Sequence, residues 1–120
     1  MRSLLTRGLI LVLTLMVAVG SAAAAEVLQV RSSTLLQIGD QNRSYGVELA
    51  CYGLSVDEDG AAATRWLRSN LPRHTRVNLR PMGVEGGVLK ARVQRLDQGT
   101  DLVSDLVAAG YGRAIEECGT

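Results

Sequence analysis

The sequence predicts one small domain built mainly from β-strands, with two helices. The apolar residues recur with period two in the first half of the chain, with period 3.6 near the middle, and with period two again afterwards. The chain has 120 residues, 47% of them hydrophobic and 21% charged, which is typical of globular proteins. Length and composition together therefore allow a single domain with one modest hydrophobic core.

The N-terminal segment has the pattern of a signal peptide. Arg2 and Arg7 accompany an apolar stretch at residues 8–19, and small residues follow at 20–25. The alternative is an uncleaved anchor, but the stretch is short for about 30 Å of hydrocarbon. We predict a signal peptide over residues 1–25 and a mature domain over residues 26–120. The mature domain would be periplasmic or secreted, with no stable membrane span after cleavage.

Three strands are predicted at the start of the mature domain. Apolar residues alternate with polar ones at 27–30 and 35–38, and a turn follows at residues 39–42. The third strand covers residues 44–51. Its alternate apolar residues are Tyr45, Val47 and Leu49.

A helix running to about Asn70 is predicted next. Ser55 and Glu58 form a capping-box pattern, and acidic residues 57–59 favour a helix N-terminus. Pro72 ends the helix. The side chains expected to face the core are Ala62, Ala63, Trp66, Leu67 and Leu71, whereas Arg65, Arg68 and Ser69 face solvent.

A hairpin and a second helix complete the predicted elements. Residues 75–82 and 88–96 alternate in polarity across a glycine-rich turn at 83–87. Either Thr100 or Asp101 caps the short second helix, which Gly110 ends, and residues 111–115 form a last strand. The inward residues expected on this helix are Leu102, Val103, Leu106 and Val107.

The two cysteines, Cys51 and Cys118, are expected to form a disulfide. Disulfides persist outside the cytoplasm, and an even number of cysteines suggests pairing. The alternative is a buried free thiol at Cys51 and an unpaired Cys118. Two cysteines without CxxC spacing and the distant His74 provide too few ligands for zinc.

The predicted order β-β-β-α-β-β-α is that of a five-stranded OB-like barrel with two helices. Residues 47–55 (VELACYGLS) resemble the segment V-R-L-x-x-I-D-x-P-E of the staphylococcal nuclease (thermonuclease, SNase-like) family. Residues 60–71 resemble its first helix, residues 84–93 its D-R-Y-G-R-x-x-A-x-V hairpin, and residues 101–114 its N-x-x-L-V-x-x-G-x-A segment. The resemblance covers essentially the whole mature domain. It implies the fold of a calcium-dependent nuclease.

The same resemblance places different residues at the functional positions of the family. The two aspartates that help hold calcium correspond to Ser33 and Gly53. The two arginines that stabilise the phosphate correspond to Glu48 and Val88, and the glutamate that acts on water corresponds to Val56. Serine and glycine lack the carboxylates that bind calcium, and Glu48 reverses the charge beside the phosphate. We therefore expect neither a catalytic residue nor a calcium cofactor at these positions.

A basic face is the main binding feature of the sequence. Arg76 and Arg80 lie on one strand of the predicted hairpin, and Lys90 and Arg92 lie on the other. An OB-like barrel could hold a nucleic acid backbone or another anion on such a face. The alternative is a solvated face that keeps the sheet soluble. One Trp, three Tyr, no Phe and a net charge of +1 do not favour nucleic acid.

The sequence thus predicts an exported, catalytically inactive SNase-like domain that acts as a binding or interaction module. The expected partner is another protein, whose identity the sequence does not indicate. One alternative is a weak or atypical nuclease that hydrolyses DNA or RNA. Another is a barrel that binds nucleic acid or another anion through the arginine-rich face.

Overall fold

A computed structural model of the protein describes residues 24–54, 59–116 and 118. Eight strands and two helices lie in this part of the chain. The strands are β1 (Ala25–Val30), β2 (Leu35–Asp40), β3 (Arg43–Leu49), β4 (Tyr52–Gly53), β5 (Arg76–Glu85), β6 (Val88–Arg95), β7 (Thr100–Asp101) and β8 (Arg113–Ala114). The helices are α1 (Gly60–Asn70) and α2 (Leu102–Ala108).

Five of the strands close into a barrel. Antiparallel pairing follows the order β3-β2-β1-β5-β6, and β3 then pairs with β6 in parallel. At this seam Val47 lies opposite Leu89, and Leu49 lies opposite Ala91. Closure leaves no free sheet edge at the seam. The mainly β fold, a closed five-stranded barrel with two helices, is confirmed and is compatible with an OB-like fold.

Alternate strand residues fill the barrel, and the two helices cover its core. The buried strand residues include Val27, Val30, Leu36, Ile38, Val47, Leu49, Val77, Ala91 and Val93. Helix α1 buries Ala63 and Leu67, as predicted, and α2 buries Leu102, Val103 and Leu106. The prediction that Val107 faces inward is wrong, because its side chain is 36% exposed. It lies about a quarter turn from the centre of the buried stripe of α2.

Both helices begin at an aspartate cap. Asp59 precedes α1, and its Oδ1 accepts a hydrogen bond from Ala61 N at 2.9 Å. Asp101 precedes α2, and its Oδ2 accepts one from Ser104 N at 2.9 Å. Of the two predicted caps for α2, the structure therefore selects Asp101. The predicted capping box of α1 involves Ser55 and Glu58, which lie outside the described residues.

Both hairpin turns are shorter than predicted. The turn between β2 and β3 consists of Gln41 and Asn42, with φ of 49° and 67°. The turn between β5 and β6 consists of Gly86 and Gly87, with φ of 56° and 79°. Two consecutive residues with positive φ form the tight turn that matches the twist of a hairpin. Strand β5 therefore continues through residues 83–85, which were predicted to lie in the turn.

The predicted strand over residues 44–51 is too long at its C-terminal end. Strand β3 ends at Leu49, and Cys51 has a φ of 64°. This left-handed conformation turns the chain away from the barrel wall. The chain then becomes extended again as the short β4, which the sequence did not predict.

The C-terminal segment is attached to the turn that follows β3. Strand β8 pairs antiparallel with β4, which confirms a short strand near the C-terminus. Ile115 N donates a hydrogen bond to Cys51 O at 2.8 Å. A disulfide joins Cys51 to Cys118, with Cα atoms 5.3 Å apart. The predicted disulfide is therefore confirmed, and it fastens this segment to the barrel.

A close backbone approach occurs at Gly112, just before β8. This residue has a φ of 87°, and a Cβ there would lie 2.6 Å from Tyr52 Cε1 and 2.8 Å from Gly53 O. Tyr52 itself is buried and donates its hydroxyl hydrogen bond to Tyr111 O at 2.9 Å. Position 112 therefore requires a residue without a side chain.

A buried ion pair connects α2 to the barrel. The side chain of Arg95 is only 5% exposed, and its Nη1 lies 3.8 Å from Asp105 Oδ2. Its Nη2 lies 3.3 Å from Asp97 Oδ2. Asp105 Oδ2 also accepts a hydrogen bond from Thr100 Oγ1 at 2.7 Å. The guanidinium is thus neutralised by one half-buried and one exposed carboxylate.

Replacing Gly112 tests the close approach at β8. We expect Gly112→Ala to lower the free energy of unfolding by about 2–4 kcal/mol, because a Cβ would meet Tyr52 in a strained backbone conformation. Gly110→Ala is the matched control, since Gly110 has a φ of 92° and a Cβ there would have no contact within 4 Å. Chemical denaturation measures both losses. Equal losses of stability in the two variants would show that the positive φ, and not the contact with Tyr52, causes the destabilisation.

Removing Asp105 tests the buried ion pair. We expect Asp105→Ala to lower the free energy of unfolding by about 3 kcal/mol, because Arg95 would stay buried with a single exposed partner. Asp97→Ala should lower it by about 1 kcal/mol or less, since Asp97 is 52% exposed. Urea denaturation measures the free energy of unfolding of both variants. A larger loss of stability for Asp97→Ala than for Asp105→Ala would contradict the prediction.

Candidate functional site

Two of the positions matched to the nuclease family lie on the outer face of the barrel. Glu48 is in β3, between buried neighbours, and lies opposite Leu35 of β2 and Lys90 of β6. Val88 begins β6. A Cβ at Gly46 would lie 3.6 Å from Leu35 Cδ1 and 3.9 Å from Val88 Cγ1, so these two apolar side chains flank Gly46. Glu48 therefore lies between an apolar neighbour, Leu35, and a basic neighbour, Lys90.

A third matched position, Ser33, lies near the start of α1. A Cβ at Gly60 would lie 3.6 Å from Ser33 Oγ and 3.5 Å from Leu54 Cδ1. The fourth position, Gly53, ends β4, and a Cβ there would lie 3.3 Å from Ile115 Cδ1. The fifth position, Val56, lies outside the described residues.

These residues do not fit a calcium ion. Calcium binds six to eight oxygen ligands, usually including several carboxylates. Ser33 offers one hydroxyl, Gly53 has no side chain, and Glu48 is the single carboxylate among the four described positions. No group of three or more His, Cys, Asp or Glu side chains suited to a metal occurs among residues 24–54, 59–116 and 118. We derive no metal-dependent step from this site.

The structure separates the four residues of the predicted basic face. Arg80 and Arg92 lie directly opposite each other on β5 and β6. Lys90 Nζ lies 3.2 Å from Glu85 Oε2, so a carboxylate already neutralises it. Arg76 lies at the far end of β5, in register with Glu26 of β1. The arginine pair, Arg80 and Arg92, is therefore the concentrated positive charge on this face.

The arginine pair lines two adjacent depressions of the surface. One, of about 240 Å³, is lined by Asn78, Leu79, Arg80, Arg92, Gln94 and Asp101. The other, of about 310 Å³, is lined by Arg80, Met82, Arg92 and Cys118. Both arginines are exposed, and no acidic oxygen of the described residues lies within 4.0 Å of either guanidinium.

The sequence did not indicate that the disulfide lies beside the arginine pair. Cys118 borders the arginine pair, and Cys51 shares a further depression of about 190 Å³ with Arg92. The Cys51–Cys118 pairing was predicted, but the position of the disulfide on the surface depends on the turn at Cys51 and on the pairing of β4 with β8. Neither feature was predicted from the local sequence.

A separate depression of about 300 Å³ lies beside β1 and the β2–β3 turn, and it contains Asp40 and Tyr45. Tyr45 OH donates a hydrogen bond to Asp40 Oδ2 at 3.4 Å. Burial, and then the negative charge of Asp40, raises the pKa of Tyr45 above its ordinary value. The phenol therefore stays neutral at physiological pH and acts as a hydrogen-bond donor.

Fold and surface together define a closed, OB-like barrel that carries an exposed arginine pair beside a disulfide. A comparison with known proteins finds no family model and no curated protein that matches the sequence. The similarity to the staphylococcal nuclease family therefore stays a prediction.

Two findings concern the compartment. The Cys51–Cys118 disulfide is typical of proteins outside the reducing cytoplasm. None of the helices in the described part of the chain is long and apolar enough to cross a membrane. The predicted signal peptide lies outside the described residues, apart from Ala24 and Ala25, and stays a prediction.

Loss of the disulfide should be strongly destabilising. Its cysteines are 67 positions apart, and releasing a loop of this length corresponds to about 4 kcal/mol in the chain-entropy account. We expect Cys118→Ser to lower the melting temperature of oxidised protein. A reducing agent should lower the melting temperature of the wild type to a similar value and leave that of the variant unchanged. Two freely alkylated thiols in native, oxidised protein would contradict the pairing.

Proposed function

We propose that the protein is an exported, catalytically inactive SNase-like domain that acts as an interaction module for another protein. The observation that carries the proposal is the position of Glu48. The resemblance puts it where the family has a phosphate-binding arginine, and it lies on the outer barrel face opposite Leu35 of β2 and Lys90 of β6. A carboxylate at this position repels a phosphate and cannot stabilise the charge that develops during phosphodiester cleavage.

The remaining matched positions support inactivity. Ser33 lies close to the start of α1, and neither Ser33 nor Gly53 carries a carboxylate. Val88 brings no positive charge to the face that holds Glu48. The matched positions therefore supply neither a metal carboxylate nor a phosphate-binding arginine, which serve two separate requirements of the family mechanism.

The shape of the surface favours a macromolecular partner over a small ligand. The four depressions described above have volumes of about 190 to 310 Å³. Binding sites for small molecules are clefts of about 300–1,000 Å³ that enclose most of the ligand, so these depressions lie at or below the lower end of that range. A rigid barrel with shallow depressions and exposed arginines is better suited to contact another protein chain.

Export is supported by two independent features. The N-terminal segment has the charge, apolar stretch and small residues of a signal peptide. The disulfide requires an oxidising compartment to persist. We propose the periplasm or the extracellular medium as the place where the domain acts.

A calcium-dependent nuclease assay tests the proposal. We expect calcium neither to raise the melting temperature of the mature domain nor to elicit cleavage of DNA or RNA, because the matched positions lack metal carboxylates. Glu48→Arg should not restore activity, since an arginine without its metal has little developing charge to stabilise.

The weak-nuclease alternative makes the opposite prediction. Calcium-dependent cleavage that a chelator abolishes and that follows the protein through chromatography would establish that alternative. It would also show that a catalytic site exists outside the matched positions.

A further inference from the structure

We propose that the arginine pair, Arg80 and Arg92, binds an acidic segment of the partner protein. The inference rests on the proposed interaction function and assigns its contact site. The two residues lie on the outer face of β5 and β6, and Arg92 is two residues beyond Lys90, which lies opposite Glu48. Neither arginine is itself one of the positions matched to the nuclease family. The chemistry recognised is that of neighbouring Asp or Glu carboxylates in a peptide.

The two guanidiniums are placed to act on the same group of ligand atoms. Arg80 and Arg92 are directly opposite in an antiparallel pair, an arrangement that brings the Cβ atoms to about 5 Å. Both side chains line both the 240 Å³ and the 310 Å³ depressions. Arginine presents a planar fork of donors that matches the two oxygens of a carboxylate. Two such forks side by side therefore suit two nearby carboxylates.

Further donors extend the site along the strands. Asn78 lies opposite Gln94, one step further on the same face as the arginine pair. Both amides line the depression that contains the arginine pair. Asn and Gln side chains can donate to the backbone carbonyls of an extended peptide. The arginine pair and the amide pair thus form a row of donors about two strand positions long.

One carboxylate borders this row and limits its net charge. Asp101 lines the 240 Å³ depression. Its Oδ2 accepts hydrogen bonds from Ser104 N at 2.9 Å and from Ser104 Oγ at 3.0 Å, so it is engaged in capping α2. It lies more than 4.0 Å from both guanidiniums. Two positive charges therefore face the ligand against one engaged negative charge.

The free protein leaves the repulsion between the two arginines uncompensated. Like charges directly opposite on a sheet are destabilising, and no described carboxylate pairs with either guanidinium. Lys90 differs in this respect, since it pairs with Glu85. An anionic ligand would supply the missing negative charge. Binding sites often retain destabilising interactions of this kind, because the groups that repel each other are needed for the ligand.

The surroundings favour a peptide over a nucleic acid. Met82 and the disulfide at Cys118 border the arginines and offer apolar contact to aliphatic side-chain stems. Arginine and methionine are enriched in protein interfaces. Among the described residues, no Trp or Tyr lines either depression, whereas single-stranded nucleic acids are held largely by stacking on aromatic rings.

A binding titration with hexaglutamate tests the site. The mature, oxidised domain is titrated at low ionic strength by isothermal calorimetry, with Arg80→Gln/Arg92→Gln as the test variant. Arg65→Gln/Arg73→Gln is the matched control, because it removes the same two charges from exposed positions outside the site. We expect the test variant to bind at least about tenfold more weakly than the wild type. The control should change the affinity less than about twofold.

The other outcomes overturn the proposal. Equal losses in the two double variants would mean that hexaglutamate responds to diffuse charge only. Absence of binding to the wild type would exclude an acidic-peptide site. Tighter binding of a DNA oligonucleotide of equal charge through the same two arginines would assign the site to nucleic acid. None of these outcomes touches the nuclease assay, so catalytic inactivity and the contact site can fail separately.

The repulsion between Arg80 and Arg92 gives a second test, which measures the melting temperature. We expect Arg80→Gln alone to raise the melting temperature of the free domain by roughly 1–4 °C at low salt, because it removes one of two opposed charges. Arg65→Gln should leave the melting temperature unchanged. Added salt should reduce the gain through screening. A lower melting temperature for Arg80→Gln would show a structural role for this arginine and overturn the proposal.

Discussion

The parallel pairing of β3 with β6 is the constraint on which the rest of the structure depends. It converts a curved sheet into a closed barrel and fixes which residues of both strands face inward. Because Leu49 pairs with Ala91 at this seam, the chain leaves β3 at a defined point and turns at Cys51. That turn places β4, and with it β8 and the C-terminal cysteine, beside the outer face of β5 and β6.

Elements with a clear apolar period could be predicted from the sequence. The alternation of Val77 and Leu79, and of Ala91 and Val93, gives the hairpin because one face must be buried. The stripe containing Ala63 and Leu67 gives α1 for the same reason. Strand ends were less predictable, since Gly83 lies in a strand although glycine commonly marks a turn. Only pairing with β6 keeps it extended.

The candidate site was predictable only in part. Arg80 and Arg92 follow from hairpin alternation, but their direct opposition depends on the bulge between Pro81 and Gly83, which sets the register. The neutralisation of Lys90 by Glu85 depends on the turn at residues 86–87. Arg95 lies in phase with the buried Ala91 and Val93, so strand alternation turns its side chain inward. That Asp105 of α2 lies beside it depends on how the helix packs, which the local sequence does not indicate.

The disulfide between Cys51 and Cys118 has a consequence for the order of folding steps. All barrel strands are complete once β6 has been made, so the barrel can close while later residues are still on the ribosome or in a translocation channel. Cys51 has no partner until residue 118 arrives. During that interval its thiol is open to oxidants and to other cysteines in the compartment. Oxidation of the two thiols can therefore follow barrel closure, and it requires an oxidant in the compartment that accepts the two electrons released when the S–S bond forms.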